Sequence, residues 1–237
     1  MLKNASSLKL INITSILFHE NHESKRLSFT KQCILDDGFL KEPVLVMDID
    51  EDKYLLLDGL HRTLTLRELG CYWIPAQIVS ESDVELKSWN HLLPRDKWLD
   101  SIKNSYDFIF TKNSKDRIIL GKITYSNGTT DEICVEQKYD NDIQLISLWN
   151  KLVNSYNSDY LVKRIHNDEH IKVDNNEVLM QYHVVNMSLI KKIVLKGLTL
   201  PSGVTRFVIK ERILNFQVPF KLLKHENHEH IAEVFHL

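Results

Sequence analysis

The run LLLDGLHRTLTLRELG, Leu55 to Gly70, is an apolar stretch that breaks at Asp58-Gly59 and resumes at once as a Leu/Arg/Glu segment closed by glycine. Upstream, Glu42–Ile49 (EPVLVMDI) and Lys53–Asp58 (KYLLLD) flank Asp50-Glu51-Asp52, which predicts a β-hairpin with an acidic turn. Downstream, Leu60, Leu64 and Leu69 recur at helical spacing, and Gly70 offers the left-handed residue that commonly closes a helix. A strand ending in Asp-Gly that feeds a helix leaves the first helical amides without partners, and the aligned peptide dipoles place positive charge there. Anions settle at such ends. Either a glycine at 59 lets a phosphate approach the backbone, with His61 and Arg62 as side-chain donors to the same oxygens, or the segment is a tight turn with solvated His and Arg.

Working outward, Trp73–Val79 (WIPAQIV) predicts a further strand. Ser82 with Glu85 forms a capping box that predicts a helix through KSWNHLL to Pro94. Beyond it, RDKWLDSIKNSYDFIFT predicts a helix and then a strand, and Asn127-Gly128 sits between two alternating segments as a second hairpin. DNDIQLISLWNKLVNSY is an amphipathic helix with Ile143, Ile146, Trp149, Leu152 and Val153 on one side. EVLMQYHVV fits strand or helix, and SLIKKIVLKG is a helix ending at Gly197. The order implies an α/β (α+β) fold with a boundary near residue 94, dividing the chain into 1–94 and 95–237.

The 237 residues carry a formal net charge of −2, with 43% hydrophobic and 26% charged residues. Such a composition suits a globular protein with a sizeable core. The charge balance argues against a surface built for non-specific nucleic-acid binding, which needs a basic excess. Cys33, Cys71 and Cys134 are odd in number and widely spaced, so neither a disulfide framework nor a cysteine zinc site is expected. The first residues lack the basic head and unbroken apolar stretch of an export signal, and no apolar run approaches a membrane span. A cytoplasmic location without membrane contact is the expectation.

The sequence has no GxxxxGK[ST] phosphate loop, no GxGxxG and no kinase His-Arg-Asp loop, so any nucleotide must be held otherwise. Hairpin, Asp58-Gly59-Leu60-His61-Arg62, helix and returning strand resemble the ParB/sulfiredoxin superfamily, which binds phosphates at this turn. Sulfiredoxins place a nucleophilic cysteine where this chain has Leu60, so their chemistry is not expected. ParB partition proteins carry a different turn motif followed by a helix-turn-helix, where this chain has hairpins. ILFHENHESKRL, LLLDGLHR, KSWNHLL and PSGVTRF together resemble the free serine kinases of the superfamily, both archaeal and siderophore-pathway (staphyloferrin B) members.

That resemblance implies a ParB/sulfiredoxin-like nucleotide-binding and catalytic domain with a mixed α/β C-terminal domain closing over the nucleotide site. It implies transfer of a phosphoryl group from ATP, or ADP, with Mg²⁺, to the hydroxyl of L-serine, giving O-phospho-L-serine for siderophore precursors. Glu20, in HENHE beside the competing Glu23, is the implied catalytic base. Asp58 is a second catalytic residue that orients serine or holds Mg²⁺, against the simpler reading of a helix cap. Gly59, His61 and Arg62 are assigned to the phosphates, together with Thr205 and Arg206, whose adjacency offers a hydroxyl and a guanidinium to one anion. Trp89, Asn90 and His91 lie in the segment that meets the amino-acid substrate. The C-terminal HENHEHIAEVFH, with His225, His228, His230 and His236, has ligand types that suit haem iron or a transition metal, or else is a solvated tail. A different class of protein, a ParB-like nucleotide sensor that binds DNA, would need no Glu20.

Overall fold

A computed structural model of the chain describes residues 8–22, 24–136 and 141–227. In chain order the elements are β1 (Leu8–Asn12), β2 (Ile16–Leu17), α1 (Ser24–Asp37), β3 (Phe39–Lys41), β4 (Val44–Asp50), β5 (Lys53–Asp58), α2 (Leu60–Glu68) and β6 (Trp73–Ile78). Then come β7 (Val84–Pro94), α3 (Lys97–Lys103), β8 (Ile109–Thr111), β9 (Arg117–Tyr125), β10 (Thr130–Glu136) and α4 (Asp142–Asn157). β11 (Lys163–His166), β12 (Glu177–Gln181), α5 (Met187–Leu195), β13 (Thr205–Ile209) and β14 (Gln217–Pro219) complete the set. The chain forms two compact units: 1–85 with 190–197 and 207–237, and 86–189 with 198–206. Residue 94, where the sequence suggests a boundary, is the last residue of β7.

The first unit is built on a five-stranded mixed sheet of order β1-β6-β4-β5-β2. The β4–β5 hairpin turns at Glu51-Asp52, where Asp52 takes a left-handed φ of 52°. β5 is covered on both faces, since Leu55, Leu56 and Leu57 are all buried. Val44, Val46, Leu56, Leu66, Ile74 and Ala76 form the centre of the core. Burying each of the larger of these side chains is worth about 1.5–3 kcal/mol. The last described stretch returns to this core: β14 pairs with β3, and Val218, Phe220 and Leu223 are buried in it. α2 closes as expected, with Gly70 at φ 73° and amide bonds from Gly70 to Arg67 and Cys71 to Leu66. Its buried face differs from the predicted stripe: Thr63, Thr65 and Leu66 are buried, and Leu60, Leu64 and Leu69 only partly so.

The second unit has a sheet of order β11-β7-β12-β9-β10-β8, with β13 also paired to β7. KSWNHLL lies in strand β7 and is not the helix that Ser82 and Glu85 predict. β7 is flanked by β11, β12 and β13, so tertiary pairing overrides a local capping signal. The second hairpin forms β9–β10 at Asn127-Gly128, α3 and β8 follow the predicted order, and EVLMQYHVV contains strand β12. α4 buries Ile146, Trp149, Leu152 and Val153, while Ile143 stays 55% exposed, so the apolar stripe begins one turn later than its spacing suggests.

Cys33, Cys71 and Cys134 are free thiols. No helix among the described residues is long and apolar enough to cross a membrane. His228, His230 and His236 of the histidine-rich segment, and Glu23, lie outside the described residues.

Candidate active site

The Asp58-Gly59 turn has the geometry an anion requires. Gly59 has φ 104° and ψ 24°, a left-handed conformation. Glycine adopts it without steric penalty. A Cβ there would lie 2.5 Å from Val44 Cγ1 and 3.2 Å from Arg62 Nη2, so the position has neither the torsion nor the room for a side chain. The first helical bond of α2 runs from the Thr63 amide to the Gly59 carbonyl at 2.9 Å, and the Thr63 hydroxyl donates to the same carbonyl. The amides of residues 60–62 precede that bond, and a helix start turns its leading amides outward, where a ligand can meet them.

Arg62 works from inside the turn. Its Nη1 donates to the carbonyls of Glu42 and Pro43 at 2.9 and 3.0 Å, and its Nη2 to Asp58 Oδ2 at 3.2 Å. Burial lowers its pKa, with Asp58 and Glu42 opposing that shift. The sequence assigns Arg62 to phosphate alone; the structure also makes it the tie between the turn and the start of β4. Asp58 Oδ2 accepts a second guanidinium, that of Arg212. Asp58 does not cap α2, whose N-cap is Gly59 with no side-chain cap bond.

Glu20 follows β2, the edge strand beside β5. β2 runs parallel to β5 with Leu17 opposite Leu55, and it ends at Leu17, three residues before Glu20. The neighbouring His19 anchors the segment. Its Nδ1–H donates to the Leu56 carbonyl at 2.9 Å, and its ring meets Phe207 edge-on at 4.9 Å. Burial holds the His19 pKa below the usual imidazole range, with the Glu20 carboxylate and the Leu56 bond opposing. His19 is a buried residue beside Glu20 that sequence reasoning missed.

The second unit holds the other named residues. Trp89 is partly exposed, whereas Asn90 and His91 are buried. His91 is 0% exposed, with Nε2 2.7 Å from the Gly203 carbonyl and Nδ1 2.8 Å from the Tyr156 hydroxyl, which in turn bonds the Tyr182 hydroxyl. His91 therefore acts on the loop before Thr205 rather than on a solvent-borne ligand. Thr205 and Arg206 are adjacent strand residues, and such neighbours present opposite faces. Thr205 Oγ1 is buried with no hydrogen-bond partner among the described residues. Arg206 lies over the Trp89 ring at 4.8 Å and donates from Nη1 to His166 Nδ1 at 3.0 Å. A cation stacked on an aromatic and steered by an imidazole nitrogen is a pre-set partner for an anionic group. His166 was not legible in the sequence, since it reaches Trp89 only through the register of β11 with β7.

Among the described residues no group of three or more His, Cys, Asp or Glu side chains is arranged to hold a metal. Mg²⁺ binds nucleotides through phosphates with one or two carboxylates, and Asp58 is a carboxylate at this turn. The left-handed glycine cradle fits a phosphate.

No family model matches the sequence. The chain is 33% identical over 222 residues, 93% of its length and 85% of the relative's, to the ATP-dependent L-serine kinase SbnI of Staphylococcus aureus. It is 32% identical over 125 residues, 49% of this chain and 50% of the other, to an ATP-dependent L-serine kinase of Staphylothermus marinus. Among solved structures it resembles Staphylococcus aureus SbnI with a C-terminal truncation at TM-score 0.88 and 30% identity, over 100% of this chain and 97% of that one. A free serine kinase in complex with AMP matches at TM-score 0.72 and 16% identity, over 92% and 93% of the two chains, a likeness of fold.

Proposed function

The chain belongs to the family of ATP-dependent L-serine kinases, and on that premise we propose that Glu20 and the Asp58-Gly59 turn carry out phosphoryl transfer from ATP to free L-serine. The product is O-phospho-L-serine, which we assign to siderophore precursor assembly, in the cytoplasm where ATP is supplied. The observation that carries the site assignment is the left-handed Gly59 opening α2 at the end of β5, the strand that β2, three residues before Glu20, pairs with in parallel.

Phosphoryl transfer asks a protein mainly for positioning and charge stabilisation. The amides of Leu60 and His61 with the His61 side chain hold phosphate oxygens, and Arg62 keeps the turn in shape. Glu20 takes the proton from the serine hydroxyl as its oxygen bonds to phosphorus, and the leaving nucleoside diphosphate carries away the charge. Mg²⁺ would neutralise phosphate charge, with Asp58 as its contact. Arg206, held by Trp89 and His166, takes an anionic group of a substrate. Asn90 and His91 support the strand and loop that carry Thr205 and Arg206.

A positioned base contributes about 10²–10⁴-fold to rate. Glu20→Gln should therefore lower kcat at least a hundredfold in a phosphoserine-release assay while nucleotide Kd stays within about twofold. Near-normal turnover would remove Glu20 from the role.

A further inference from the structure

Arg212 stands in none of the motifs that define the site, yet the fold delivers it to the phosphate turn. It lies in an irregular stretch between β13 and β14, where the neighbouring backbone is gripped by one buried side chain. Gln77, 3% exposed on β6, donates from Nε2 to the Glu211 carbonyl at 2.9 Å and accepts from the Ile213 amide at 2.8 Å. Both ends of one amide are thus spent on holding the residues on either side of Arg212. Gln77 is paired with Leu45, and Leu45 with Asp58, so these three form one row across β6, β4 and β5. A guanidinium fixed above Gln77 can span β4 and reach Asp58, which is where it is found.

What Arg212 does there follows from charge. Asp58 Oδ2 already accepts from Arg62, and it is the sole ion-pair partner of Arg212 among the described residues. Two guanidiniums share one carboxylate oxygen beside a helix start that itself favours negative charge. The pair is open to solvent, with Arg212 39% and Asp58 47% exposed. An ion pair so exposed is weak and easily exchanged. A phosphate oxygen offers the guanidinium a stronger, two-pronged partner.

We propose that Arg212 is a phosphate-binding residue for the nucleotide, parked on Asp58 until the phosphate chain arrives and releasing that carboxylate as it engages. The inference rests on the placement of the nucleotide at the Asp58-Gly59 turn. Calorimetric titration of the full chain with ATP, ADP and AMP in the presence of Mg²⁺ tests it in Arg212→Gln, Arg212→Lys, Asp58→Asn and the double variant Asp58→Asn/Arg212→Gln, with His61→Ala as reference.

Arg212→Gln should weaken ATP binding at least tenfold and AMP binding less, with Arg212→Lys intermediate. The loss should persist when Asp58 is already Asn. If it vanishes in that background, Arg212 serves only as the partner of Asp58 and the proposal fails. Weakened binding in His61→Ala with unchanged binding in Arg212→Gln overturns this inference alone; unchanged binding in both overturns the placement of the nucleotide itself.

Discussion

His19 shows how one residue couples stability to the site. It is 6% exposed and hydrogen-bonded to a strand carbonyl, and burial lowers its pKa. The unfolded chain titrates this group near the ordinary value of about 6.5. Between the folded and unfolded values the unfolded chain binds more protons, so stability rises with pH across that window. The contribution is complete above the unfolded value and is lost on acidification, at a slope of up to about 1.4 kcal/mol per pH unit. His19→Asn keeps a donor for the Leu56 carbonyl but cannot titrate. Its stability, followed by urea unfolding from pH 7.5 to 5, should fall less steeply than that of the parent chain. Equal slopes would show that other groups govern the acid limb. At the same scale, Gly59, His61 and Arg62 are readable as candidate anion-site residues from residue type and spacing alone. Arg212 and His166 are not, because nothing local distinguishes them from other exposed polar side chains.

At the scale of elements, the strand–turn–helix junction is the part of the chain where local chemistry and tertiary packing agree. Gly59 satisfies a left-handed torsion and also leaves room for Val44, so Gly59→Ala meets two penalties at once. Strained torsions of this kind cost about 1–3 kcal/mol, and the steric contact adds to that. Urea unfolding should show a loss of at least this size, and an ADP titration should show weakened affinity because the first-turn amides move. Shortening Val44 to Ala in the Gly59→Ala background should recover only the steric part. β7 shows the opposite case. Its sequence carries a capping pair and a helical-looking apolar run, yet pairing with β11, β12 and β13 makes it a strand. Residues buried on both faces lose the two-residue alternation by which strands are recognised. α1 gives little sequence signal for a related reason: Ile34 is its single buried hydrophobic among the described side chains, while Phe29 and Leu35 are exposed.

For the whole molecule, the thiols report on folding without any disulfide to confuse the reading. Cys33 is partly exposed, whereas Cys71 and Cys134 are buried. Burial pushes the Cys71 thiol up to about 11 and raises that of Cys134. Thiolates are the reactive form, so both should resist a thiol reagent at pH 8. Mass spectrometry of briefly alkylated native protein should find the label at Cys33, with Cys71 and Cys134 modified only in denaturant. Native labelling of Cys71 would mean that the first core opens on its own.

Cys71 also marks what pattern reading could not see, since its core is completed by Val218, Phe220 and Leu223 from the far C-terminal part of the chain. The chain by itself determined the hairpin, the Asp-Gly junction and the glycine-closed helix, because turn torsions, capping and periodicity are properties of neighbours along the backbone. Only the tertiary structure decided that β7 is a strand, that His91 is enclosed and that Arg212 stands over Asp58. Those outcomes depend on which distant surfaces exclude water together, and that choice is made by the whole core at once.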